Sequence, residues 1–150
     1  MGFKVDVDLK LRVRHPKWEP SHTLMLVDLY VSYLLSIVCS TLLLLSDRSL
    51  LGALTLVEVA VPFLYVMVRH RESTGALAYD VHFTLGVVIV QSAYLLGKLW
   101  LVPLVLVLEL FFKEGLFDQF VEDNPIVFGG LLDFLTYCAG SALTFLLIYV

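Results

Sequence analysis

Charge is scarce in this chain. Of its 150 residues 16% are Asp, Glu, Lys or Arg, 59% are hydrophobic, and mean hydropathy is +0.89. A water-soluble surface of this size needs roughly a quarter of its residues charged, so the expected solvent is largely lipid. Cysteine is scarcer still. Cys39 and Cys138 both lie inside apolar runs, not at the spaced loop positions that would suggest a disulfide framework or a zinc site. With ten Lys and Arg against 14 Asp and Glu, a net charge of −4 leaves no basic footprint for nucleic acid. The N-terminus lacks the apolar core of a secretory signal, Asp6 and Asp8 spoil a mitochondrial transit reading, and Asp6 stands where a myristoylation signal wants Ser or Thr. Met1 is therefore expected to be the mature start, and the length permits one compact domain with no soluble catalytic unit beside it.

Long apolar runs fill the space left by charge. Leu24 to Leu45, Leu50 to Val68 and the stretch after Asn124-Pro125 are each long enough to span, since about 20 helical residues cross the hydrocarbon core. The run from Tyr79 through Phe112 is too long for one perpendicular crossing, and Pro103 can remove a backbone donor at the right place to break it. The expected fold is an all-α polytopic membrane protein with four spans, over residues 24–45, 50–68, 81–102 and 126–150. Between spans three and four, residues 104–122 alternate charged and apolar faces at helical spacing and read as an interfacial amphipathic helix or a projecting continuation. Basic residues concentrate before the first span and in the second loop, which predicts both termini on the cytoplasmic or matrix side.

Residues 3–14 alternate apolar and charged side chains, the period of an extended strand. A lone strand cannot satisfy its own ladder, so this segment is expected to add to another subunit or lie along a partner, with Trp18 as an interface anchor.

Inside the spans, polar and small residues recur at helical spacing. Asp28, Ser32, Ser36 and Ser40 mark the first, Thr55, Glu58, Pro62 and Tyr65 the second, Thr84, Gln91, Tyr94 and Lys98 the third, and Gly129, Asp133, Tyr137, Gly140 and Thr144 the fourth. Such residues are favoured where helices meet, so these stripes should face one another or partner subunits. Counting rise from the ends places Glu58, Lys98 and Asp133 near one layer, about 10–12 Å from the acidic face. There Lys98 could neutralise one carboxylate, with Gln91 nearby. Asp28 lies closer to an interface, with Arg69 or His82 as its expected partner. The four histidines belong to the basic side, and His22 with His82 is the best pair for a bis-histidine haem, though neither a haem nor any other cofactor is expected beyond bound lipid.

No nucleophilic triad, phosphate loop or dinucleotide pattern occurs. The expectation is a non-catalytic accessory subunit of a multi-subunit membrane complex, most plausibly a respiratory-chain or ATP synthase complex of the mitochondrial inner membrane. Its expected partners are the lipid bilayer and other membrane subunits. Two alternatives stay open through Glu58, Lys98 and Asp133. One is an autonomous bundle binding or transporting a small lipophilic or cationic ligand; the other is an isomerase-like membrane enzyme.

Overall fold

The computed structural model describes residues 22–117 and 127–149, and the extended segment 3–14 with Trp18 lies outside them. Every described element is helical: α1 His22–Leu44, α2 Ser49–Arg69, α3 Thr74–Leu95, α4 Leu101–Glu109 continuing as a π-helical run Leu110–Phe117, and α5 Val127–Leu147. Three of them, α1, α2 and α3, are long and apolar enough to cross a membrane. A shorter apolar stretch, Leu131–Leu147, lies within α5. Large apolar side chains such as Leu34, Leu50, Val61, Val68 and Leu146 remain exposed on the outer faces, as a bundle bathed in lipid requires.

Local chemistry sets the helix ends. The α1–α2 turn is closed by Ser46, whose Oγ donates to the Leu43 carbonyl at 2.7 Å and accepts from the Arg48 amide at 3.2 Å. Ser73 caps α3, its hydroxyl accepting from the Ala76 amide at 3.3 Å. Helix α3 ends at a glycine. Gly97 takes φ +65°, the Lys98 amide reaches back to the Ala93 carbonyl at 2.8 Å and the Gly97 amide to the Tyr94 carbonyl at 2.9 Å, the paired bonds of a Schellman stop.

The break predicted at Pro103 therefore falls at Gly97. Pro103 occupies the first turn of α4, where its missing N–H has no intrahelical bond to lose. The third helix also starts at Thr74, seven residues before the predicted Val81, so it draws Asp80 into the bundle.

Contacts fix the directions of the helices. Leu29 packs with Leu77 and Val81, while Ser36 and Ser40 bond Gln91, so α1 and α3 run the same way with α2 between them in sequence and opposite in sense. His82 meets Asp133 and Gly86 meets Ser141, so α5 also runs parallel to α3. This corrects the expected antiparallel fourth helix. A chain that leaves α3 at one end and begins α5 at the other must travel back between them. Helix α4 begins that return, with Val102 packed beside Val90 and Ala93 and with Leu106 and Ile148 against the same cluster. The described part of the segment, as far as Phe117, thus folds back onto the bundle and does not project from it.

The α3–α5 interface is the most extensive among the described helices, and glycine makes it possible. A Cβ on Gly140 would strike the Phe83 carbonyl oxygen, and one on Gly86 the Tyr137 carbonyl oxygen. Gly52 gives α2 the same closeness to α1, where a Cβ would lie 2.6 Å from both the Leu44 nitrogen and the Ser40 oxygen. Backbone-to-backbone approach of this kind is how helices adhere in lipid, where burying apolar side chains supplies little drive.

Candidate functional site: the polar interior

Ser32, Ser36 and Ser40 all face inward from α1, joined by Leu29 and Leu43. Ser36 Oγ donates to Gln91 Oε1 at 3.3 Å and Gln91 Nε2 donates to Ser40 Oγ at 2.7 Å. Ser40 in turn lies 2.9 Å from Thr55 Oγ1. One glutamine on α3 thereby ties α1 and α2 together, and both ends of its amide are satisfied among buried groups.

Glu58 follows Thr55 by three residues on α2, on the same helical face. Its Oε1 and Oε2 lie 2.9 Å and 3.0 Å from Thr144 Oγ1 on α5. The same hydroxyl stands 2.9 Å from the Gly140 carbonyl, so one proton faces three acceptors.

Asp133 lies elsewhere. It is eleven residues from Thr144, about 16 Å along the α5 axis, and its Oδ1 is 3.3 Å from His82 Nδ1. The pair is a close polar contact and not a directed hydrogen bond, since the buried Nδ1 has no partner of acceptable angle among the described residues. Tyr137 stacks on the His82 ring with centroids 4.8 Å apart and planes inclined by 20°.

Lys98 joins neither carboxylate. It sits exposed in the turn that Gly97 creates, so Glu58, Lys98 and Asp133 occupy three different places and the expected cluster does not form. Lys98→Met is accordingly expected to change the stability of the bundle by less than about 0.5 kcal/mol, measured by unfolding in mixed micelles.

Asp28 and the histidines also depart from expectation. Asp28 is exposed and makes no bond to Arg69 or His82. Its place on the inward stripe is taken by Leu29, 0% exposed. His22 donates from Nε2 to the Arg71 carbonyl at 2.7 Å, pinning the start of α1 to the α2–α3 turn, while His82 sits eight residues into α3 with Asp133. The two imidazoles engage different partners at different depths and do not face each other as a haem would need. Among the described residues no group of three or more His, Cys, Asp or Glu could hold a metal ion.

The structure brings in a residue that the sequence reading passed over. Asp80 on α3 is 4% exposed, and among the described residues neither carboxylate oxygen has a hydrogen-bond partner. Thr84, one turn further on and 0% exposed, also has an unpartnered hydroxyl. The only signal available was spacing: Asp80, Thr84, Val87 and Gln91 fall at i, i+4, i+7 and i+11, a single helical stripe.

Comparison with protein-family models, with curated proteins and with solved structures finds no match to this chain.

Proposed function

We propose that this protein is a non-catalytic accessory subunit of a larger membrane assembly, in which its helices serve as a rigid packing element. One observation carries the reading. The polar residues that could have formed a shared site are instead distributed as locks between helices: Gln91 to Ser36 and Ser40, Glu58 to Thr144, and Asp133 beside His82. Ligand binding, transport or isomerase-like acid–base chemistry through Glu58, Lys98 and Asp133 would need those three to converge, and they do not. In a membrane the parallel arrangement of α3 and α5, with the chain returning between them, gives an odd number of crossings. The proposal therefore puts the two ends of the chain on opposite faces. The bundle end holding His22, Arg69 and Arg71 is the one we assign to the cytoplasmic or matrix side, on the excess of basic residues there. The mitochondrial inner membrane, with a respiratory-chain or ATP synthase complex, is the compartment and assembly we favour on the sequence argument.

Asp28 supports an outward partner. It is a carboxylate on the exposed side of α1, six residues from the helix start, with no hydrogen bond or ion pair among the described residues. A donor on a neighbouring subunit would satisfy it. In mild detergent the protein is expected to migrate with a complex several times its own 16.9 kDa, and Asp28→Leu is expected to shift a large share of it to the free form. Migration as a monomer under every mild condition, with unchanged behaviour of the variant, would refute the proposal. Fractionation of organelles checks the compartment separately.

A further inference from the structure

We propose that Asp80 and Thr84 form a site for a monovalent cation, a proton or an alkali ion, inside the helical bundle. Asp80 lies six residues beyond the start of α3, about 9 Å from that end. Among the described residues both of its oxygens and the Thr84 hydroxyl are buried without partners, as is His82 Nδ1, which faces Asp133, whereas Gln91, Ser40, Thr55 and Glu58 further along the bundle all have theirs. A carboxylate in such a place requires a positive counterpart, because the lipid and the apolar helices around it offer none of the solvation that water would give. One carboxylate supplies one negative charge, which suits a monovalent ion.

Among the described residues, the protein's own cations do not fill that role. On α2, Arg69 and His70 are exposed at the helix end, and His70 stands 3.2 Å from Tyr65. Glu58 on the same helix is held by Thr144. On α1, His22 is engaged by Arg71 and Asp28 points outward. On α5, Asp133 faces His82, Tyr137 lies on the same imidazole, and Cys138 is half-buried. On α3 itself, Tyr79 is exposed and His82 projects from nearly the opposite side of the helix, two residues away. None of these groups bonds Asp80.

The polar stripe continues past the site. Thr84 leads toward the level of Glu58, and Gln91 at the far end joins Ser40 and Thr55, so polar groups follow one another along about 16 Å of α3. Asp80 is the end of that series without a partner, which is where an ion drawn from outside would be held.

Infrared spectroscopy of the full chain reconstituted in lipid tests the assignment, because a protonated carboxylic acid has a carbonyl stretch distinct from that of a carboxylate. A protonated-acid band that Asp80→Asn removes and Glu58→Gln leaves is expected at about pH 5. If the cation is a proton, raising the pH to about 9 abolishes the band without any dependence on sodium. If it is an alkali ion, adding Na⁺ at fixed pH reduces the band at least about threefold. Absence of the band at every pH in sodium-free buffer would overturn the proposal, since the carboxylate would then be paired within the protein. A band insensitive to both pH and Na⁺ would overturn it equally, as a neutral group that exchanges nothing. Thermal unfolding of Asp80→Asn provides the control, with stability expected to equal or exceed that of the native chain.

Discussion

Alanine at Gly140 is expected to destabilise the bundle by about 2–3 kcal/mol. The added carbon would meet the Phe83 carbonyl oxygen, with the carbonyl carbon 3.1 Å away and the Val87 nitrogen 3.3 Å away. All three are backbone atoms inside a helix and cannot turn aside as a flexible side chain could. Helices α3 and α5 must separate, loosening the Gly86–Ser141 contact at 3.0 Å and the Glu58–Thr144 lock together. Gly75→Ala is the matched control, since a Cβ there has nothing within 4 Å. Reversible unfolding in mixed micelles measures both, and equal stabilities for the two variants would show that the close crossing is not what holds α5 in place.

A second large effect is expected from Thr144→Val, which preserves shape and removes only the hydroxyl. Hydrogen bonds between helices in lipid average about 0.6 kcal/mol and reach about 1.7. Here the loss also leaves Glu58, 9% exposed, without its only donor among the described residues, and an unsatisfied buried acceptor adds about 1–3 kcal/mol. We expect a total near 2 kcal/mol. A double-mutant cycle assigns the cause: in a Glu58→Leu background the same change should cost under about 0.5 kcal/mol. A full-sized loss in that background would place the contribution of Thr144 in its bond to the Gly140 carbonyl, 2.9 Å away.

These two sites show which parts of the molecule were legible beforehand. The first two helices lie within two residues of their predicted bounds, because an apolar run between charged clusters can hardly do anything else in lipid. Ser32, Ser36 and Ser40 could be placed inward for the same reason, as could Gly140 and Thr144. Asp28 could not, although it continues the four-residue spacing of the serines. With 3.6 residues per turn each step of four drifts by about 40°, and by Asp28 the stripe has left the interface that Leu29 enters. Lys98 was misplaced by assuming a helix that runs through Gly97, whose positive φ turns the chain before the lysine is reached. Asp80 was missed because the span was begun one residue after it. Direction was the hardest to read, since hydropathy marks where a helix is apolar and says nothing of which way it points.

The alignment of α3 with α5 has a consequence for how the protein is made. Of the three membrane-length helices α3 is the least hydrophobic, and its principal partner, α5, leaves the ribosome after it. Until that helix arrives, the side chains of α3 that will face it have only the earlier hairpin and the insertion machinery for company. Biogenesis should therefore proceed by the hairpin receiving α3 through Gln91, with α5 sealing the exposed flank once it emerges.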